Sequence, residues 1–152
     1  MNISDVAARR LSTGSRTSRE LKEYLLKKEF KEEEVDELIR EFTDYGYLND
    51  ERYCHEYFRY AFGKGKSKNR VFYELRTKGI KQNLIDIAFE DYEGDTDERK
   101  RAMAEAIKIL ERSSIGDGEA VPEKILGRIG RNLNNKGYSS DIIYSIIGDI
   151  RR

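Results

Sequence analysis

The chain has 152 residues, of which 38% are apolar and 38% charged, a balance that argues against one thick core and for thin helical layers with much surface. Lys plus Arg and Asp plus Glu both number 29, so the formal net charge is zero, which excludes a global pull toward nucleic acid or membrane and makes any electrostatic function local. The N-terminal stretch MNISDVAARRLSTG has no apolar h-region, and no segment approaches the roughly 20 apolar residues of a membrane span, so a soluble cytoplasmic protein without membrane contact is expected.

In chain order, apolar spacing predicts nine helices, at 2–12, 17–29, 32–45, 50–62, 67–78, 82–92, 96–112, 122–136 and 139–151. The fourth carries Tyr53, Tyr57, Phe58 and Phe62 on one broad face, and the seventh an Ala-rich stripe of Ala102, Ala106, Ile109 and Leu110. Glycine-rich connections at 63–67 (GKGKS) and 113–122 (SSIGDGEAVP) look like joints that bend.

One apolar pattern is written three times. Leu21, Leu25, Phe30, Val35 and Ile39 recur, at a shift of 50, as Val71, Leu75, Ile80, Ile85 and Phe89, and at a further 58 as Ile129, Leu133, Tyr138, Ile143 and Ile147. Steps of four follow the helical period, and the five-residue steps around Phe30, Ile80 and Tyr138 bridge a break between two helices. Gly79 and Gly137 stand just before the central residue, where a left-handed C-cap needs no Cβ; Glu29 departs from this in the first copy. Lys28, Lys78 and Lys136 precede that site, suited to the negative end of the helix dipole. The fold expected is therefore all-α, three tandem three-helix repeats forming an elongated, curved rod, divided at 1–62, 63–112 and 113–152.

Catalytic chemistry has little to build on. Cys54 and His55 are the only cysteine and histidine, they point about 100° apart as helix neighbours, and a structural zinc site would need four ligands. No phosphate-cradling GxxxxGK[ST] or GxGxxG motif occurs, so no cofactor is expected. The acidic clusters Glu32-Glu33-Glu34 and Asp95, Asp97, Glu98 read as first-turn charges at the positive end of the helix dipole. One local anomaly stands out at 64–81, where Lys64, Lys66, Lys68, Arg70, Arg76, Lys78 and Lys81 face Glu74 alone. With Arg59 and Tyr57 of the preceding helix, this cluster is the candidate partner-binding patch for phosphates or carboxylates. Tyr45, Tyr47, Tyr53, Tyr57, Tyr60 and Tyr73 crowd the same region; most are expected to pack in small cores, with one or two left as interface anchors.

RTSRELKEYLLKKEF at 16–30, YLNDERY at 47–53 and GKGKSKNRVFYELRTKGI at 63–80 together resemble the RecX family, whose members carry a [YLF]-[LI]-[ND]-D turn and a G-x-x-[RK]-[IV]-x-x-E-L-x-x-K-G-I segment. The match is good over 16–90, and the third copy extends it by periodicity. The resemblance implies tandem three-helix repeats and a monomeric, non-enzymatic modulator of the RecA recombinase. RecX proteins bind the RecA–DNA filament in its groove and lower its ATPase, strand-exchange and coprotease activities, in the setting of DNA repair and the SOS response. The other reading of three-helix packets is a helix-turn-helix-like nucleic-acid module independent of RecA. Helix 122–136, with Lys124, Arg128, Arg131 and Lys136 against Glu123, is the relevant element there. Contact with single-stranded or duplex DNA is compatible with either.

Overall fold

A computed structural model describes all 152 residues, as nine α-helices and no strand: α1 Ile3–Ser12, α2 Ser18–Lys27, α3 Glu32–Asp44, α4 Asp50–Gly63, α5 Lys68–Thr77, α6 Gln82–Glu90, α7 Glu98–Arg112, α8 Glu123–Asn135 and α9 Ser140–Arg151. Every helix foreseen from apolar spacing is present, with its ends within two residues. None is long and apolar enough to cross a membrane.

The chain forms two compact units. Unit 1 comprises 1–57 and 74–92, and unit 2 comprises 58–73 and 93–152, so α4 and α5 each run through the division. In unit 1, α1, α2 and α3 enclose Ala7, Leu21, Leu25, Val35, Leu38, Phe42 and Leu48; Leu75, Ile80, Ile85 and Ala88 are buried as well. In unit 2, α7, α8 and α9 enclose Ala102, Ala106, Ile109, Ile129, Leu133, Tyr138, Ile143 and Ile146. Burying a Leu or Ile side chain contributes about 1.5–3 kcal/mol, so these small cores stabilise their helices well beyond intrinsic propensity.

All three copies of the repeat fold alike at the break between helices. Phe30 N–H donates to Leu25 O, Ile80 to Leu75 O and Tyr138 to Leu133 O, while the preceding Glu29, Gly79 and Gly137 N–H groups reach Leu26, Arg76 and Asn134 carbonyls. This is the Schellman arrangement, which places the preceding residue in the left-handed region. Glu29 (φ 70°), Gly79 (φ 97°) and Gly137 (φ 93°) all lie there. Ile80 and Tyr138 are buried, whereas Phe30 is half-buried.

The connection at 63–67, expected to bend as a joint, is held by hydrogen bonds within unit 2. Gly65 and Lys66 N–H close a further Schellman turn on Phe62 O and Ala61 O, Ser67 N–H donates to Lys136 O at 2.9 Å, and Tyr138 O–H donates to Gly65 O at 2.7 Å. Ser67 is completely buried. Gly65 serves close packing there, since a Cβ on it would overlap the Glu105 carboxyl group.

Candidate partner-binding surface

The basic residues of 59–78 fall on both units and are used unequally. In unit 2, Arg59 and Lys64 are exposed at the end of α4; neither has a carboxylate ion-pair partner, and Lys64 Nζ lies 5.8 Å from the Tyr60 ring. Lys66 is half-buried in the 63–67 connection. Lys68 is exposed, its N–H donating to Glu98 Oε1 at 3.0 Å and its Nζ 5.2 Å from the Phe72 ring. Arg70 is half-buried, with Nη2 donating to Asn135 O at 2.9 Å.

In unit 1, Tyr57 O–H donates to Glu74 Oε1 at 2.7 Å. Lys78 stacks over the Tyr57 ring at 5.5 Å and pairs loosely with Glu20 at 3.8 Å, and Arg76 Nη1 donates to Gln82 Oε1 at 2.6 Å. Arg59 and Lys64 are thus the patch residues most available to a partner, while Arg70 and Lys78 also serve the fold.

Tyrosine placement departs from expectation. Tyr45, Tyr47, Tyr60 and Tyr73 are 69%, 62%, 59% and 51% exposed, so most of the six are surface rings rather than core fillers. Tyr45 and Tyr47 lie just after α3, and Tyr60 and Tyr73 on the exposed faces of α4 and α5, where the amphipathic ring keeps its hydroxyl wet. Tyr53 is half-buried and stacked on Tyr57, and burial pushes its phenol up to about 12. Tyr60 stands beside Arg59 and Lys64 in sequence, a pairing of residue types found at interface hot spots.

Cys54 is fully buried. Burial, with Asp50 and Glu51 adding to it, pushes its thiol up to about 12, the opposite of the lowered value a nucleophilic cysteine needs. The His55 ring lies 6.4 Å from that of Tyr92.

The spacing pattern did not reveal how consecutive copies are latched. In unit 1, the fully buried Thr17 caps α2 in a reciprocal box with Glu20, and its hydroxyl also donates to Lys78 O at 2.7 Å. Arg19 Nη2 donates to Thr77 O at 2.9 Å. In unit 2, Ser67 stands 50 residues after Thr17 and meets Lys136 O, while Arg70 meets Asn135 O. A Cβ on Gly79 would strike the Arg19 side chain at 2.5 Å, and one on Gly137 would strike Ser67 Oγ at 2.5 Å and Arg70 Cβ at 2.8 Å. The signal available in sequence was a hydroxyl residue opening each helix pair, followed one copy later by Lys-Gly.

Unit 2 adds a buried charge to this latch. Glu105 on α7 is 6% exposed and accepts hydrogen bonds from Lys108, at 2.8 Å, and from Lys136. Burial alone would raise its carboxyl pKa, but the two ammonium groups outweigh it and hold the value below the usual range.

Consecutive three-helix copies, latched from a helix N-terminus into the next copy's C-cap turn, define a helical-repeat protein. The sequence matches the family models for the first three-helix domain of RecX over residues 5–42 and the second over 49–88. It is 33% identical over 141 residues to the regulatory protein RecX of Trichlorobacter lovleyi, covering 91% of this chain and 89% of that one. It is 31% identical over 140 residues to that of Streptomyces coelicolor, covering 91% and 72%. The crystal structure of RecX from Lactobacillus salivarius superposes with a TM-score of 0.74 at 26% identity, over 96% of this chain and 92% of that one. The chain belongs to the RecX family. It spans about half the length of the Bacillus subtilis and Listeria relatives, 52% and 48%.

Proposed function

We propose that the chain is a non-enzymatic regulator of the RecA recombinase, binding the RecA–DNA filament along its groove and lowering its ATPase, strand-exchange and coprotease activities. Family membership over nine-tenths of the chain carries this reading. One local observation supports a binding role, the exposed tyrosines and cations of the surface, while the buried cysteine with its raised thiol pKa supports the non-enzymatic part of the reading. The unit 2 surface bearing Arg59, Tyr60 and Lys64 is the part of the basic patch best suited to attract acidic groups of the filament. Lys66, Lys68, Arg70, Arg76, Lys78 and Tyr57 contribute their charge or ring more weakly, because much of their bonding is internal.

The test is the RecA ATPase on single-stranded DNA with this protein added. Changing Arg59 and Lys64 together to glutamate should weaken inhibition most at low salt, since exposed charges act mainly on association and are screened over about 8–10 Å. Helix content by circular dichroism should stay unchanged. Equal inhibition by the double variant and the parent across a salt titration would remove the patch from the interface.

A further inference from the structure

We infer that a cleft of unit 1, set between Arg16 and Arg52, is a further binding site, one that takes a carboxylate side chain of an acidic, partly apolar protein segment. The cleft has a volume of about 180 Å³ and forms where the α1–α2 connection, the α3–α4 connection and the first turns of α4 meet. Leu11, Tyr47 and Tyr53 give it an apolar lining. Both rings are held in place: Tyr47 stands edge-on to the buried Phe42 at 5.3 Å, and Tyr53 is stacked on Tyr57 at 6.1 Å.

Both arginines are positioned by neutral oxygen atoms, and neither is paired with a carboxylate. Arg16 Nη1 donates to Ser15 O at 3.0 Å, and its Nη2 to Thr13 Oγ1 at 3.4 Å. Gly14 makes room for this, since a Cβ there would stand 3.0 Å from Arg16 Nη1. Arg52 Nη2 donates to Gly46 O at 3.3 Å. A guanidinium carries five N–H donors in a fixed fork, so each arginine keeps donors for a ligand. Its side chain is already restrained, which lowers the entropy cost of binding. The acid lining the cleft, Glu56, accepts the Ser15 hydroxyl at 3.2 Å.

Charge and lining together choose the occupant. Two arginines against one glutamate leave a single positive charge unanswered, which matches one carboxylate held by charge-assisted, fork-shaped hydrogen bonds. A nucleic-acid strand would bring a phosphate at every nucleotide past Glu56, which repels them. Inorganic phosphate would use the guanidinium groups and leave Leu11 and the two rings without a contact. An acidic peptide uses both, with its carboxylate on the arginines and its methylene stem or a neighbouring apolar side chain against the rings. Asn49, whose Oδ1 already accepts from Arg52 N–H at 2.9 Å, offers its amide N–H groups as further donors. Tyrosine and arginine are also the residue types that carry most energy at protein interfaces. None of the residues lining the cleft belongs to the basic patch of 59–78.

The experiment is fluorescence anisotropy of a labelled, end-blocked peptide of glutamate and phenylalanine residues spaced by glycine, titrated with the full chain in the absence of RecA. The same peptide with glutamine for glutamate, and a labelled single-stranded oligonucleotide, serve as comparisons. The glutamate peptide should bind, and the glutamine peptide should bind at least about tenfold more weakly, as loss of a charge-assisted pair requires. Arg16→Gln and Arg52→Gln together should weaken the glutamate peptide by a similar factor, with circular dichroism matching the parent. Tyr47→Ala, which leaves both arginines in place, should weaken it by a smaller factor. Equal affinity for the two peptides, or an unchanged affinity in the double variant, would overturn the proposal. So would an oligonucleotide that binds through the same two arginines more tightly than the peptide, which would assign the cleft to phosphates. Peptide binding lost in the Arg59 and Lys64 glutamate variant but kept in the cleft variant would assign the peptide to the basic patch and overturn it too. Because RecA is absent, failure here leaves the filament-binding reading to its own test.

Discussion

The latch in unit 1 and the latch in unit 2 use the same backbone geometry with different chemistry. In unit 1, Thr17 and Arg19 reach the carbonyls of Lys78 and Thr77, and Lys78 itself makes a 3.8 Å pair with Glu20, both side chains about a third exposed, and lies over the Tyr57 ring. In unit 2, the Ser67 backbone N–H, in place of a hydroxyl, reaches the Lys136 carbonyl, Arg70 Nη2 reaches that of Asn135, and Lys136 is drawn onto the buried Glu105. The glycine of each Lys-Gly turn thus does two jobs. It adopts positive φ, which Glu29 also manages in the first copy, and it admits the preceding copy's side chains, which Glu29 could not.

The largest expected effect separates those two jobs. Gly137→Ala adds a Cβ against Ser67 and Arg70 on top of left-handed strain, and should cost about 3 kcal/mol in urea unfolding. Glu29→Ala keeps the strain in an exposed turn, so its effect should be small.

Next comes the buried charge. Glu105→Ala leaves Lys136 and Lys108 without their carboxylate and should cost about 2–3 kcal/mol, somewhat below a fully buried pair because Lys108 is half in water. Its pKa is lowered in the folded state, so its contribution is fully present above the unfolded value of about 4.3 and is lost as pH falls through the lower folded value. Acid unfolding of the parent should therefore steepen below that range, and the Ala variant should lack this component.

Thr17→Ala removes an N-cap and leaves the Lys78 carbonyl without its hydroxyl donor; about 1–2 kcal/mol is expected, read as a lower melting temperature. The smallest effect is a gain. Glu29→Gly relieves φ 70° in an exposed turn and should stabilise by about 1 kcal/mol; a loss would mean that Glu29 makes a compensating contact.

Much of the fold was legible because helix breaks and core faces are local properties. The fifteen repeated apolar positions are all buried or half-buried, and the Gly79 and Gly137 turns follow from the five-residue step. Glu105 was not legible: an acid in the Ala-rich stripe of α7 reads as solvated until Lys136, thirty-one residues later, is seen beside it. The latches were missed for the same reason, since Thr17 and Lys78 meet only through tertiary packing. In the basic patch, sequence gave the charges but could not separate Arg59 and Lys64, which face solvent, from Arg70, which is bonded to Asn135. The exposed tyrosines were misjudged because residue type alone does not say which face of a helix, or which side of a loop, a ring takes.

The regulatory reading is tested most directly by retention of this protein on RecA assembled with nucleotide on immobilised single-stranded DNA, compared with the same DNA alone at physiological salt. Strong retention on the filament, weak retention on bare DNA, and reduced retention when Arg59 and Lys64 become glutamate are the expected results. Equal retention on filament and bare DNA, or none on the filament, would contradict it.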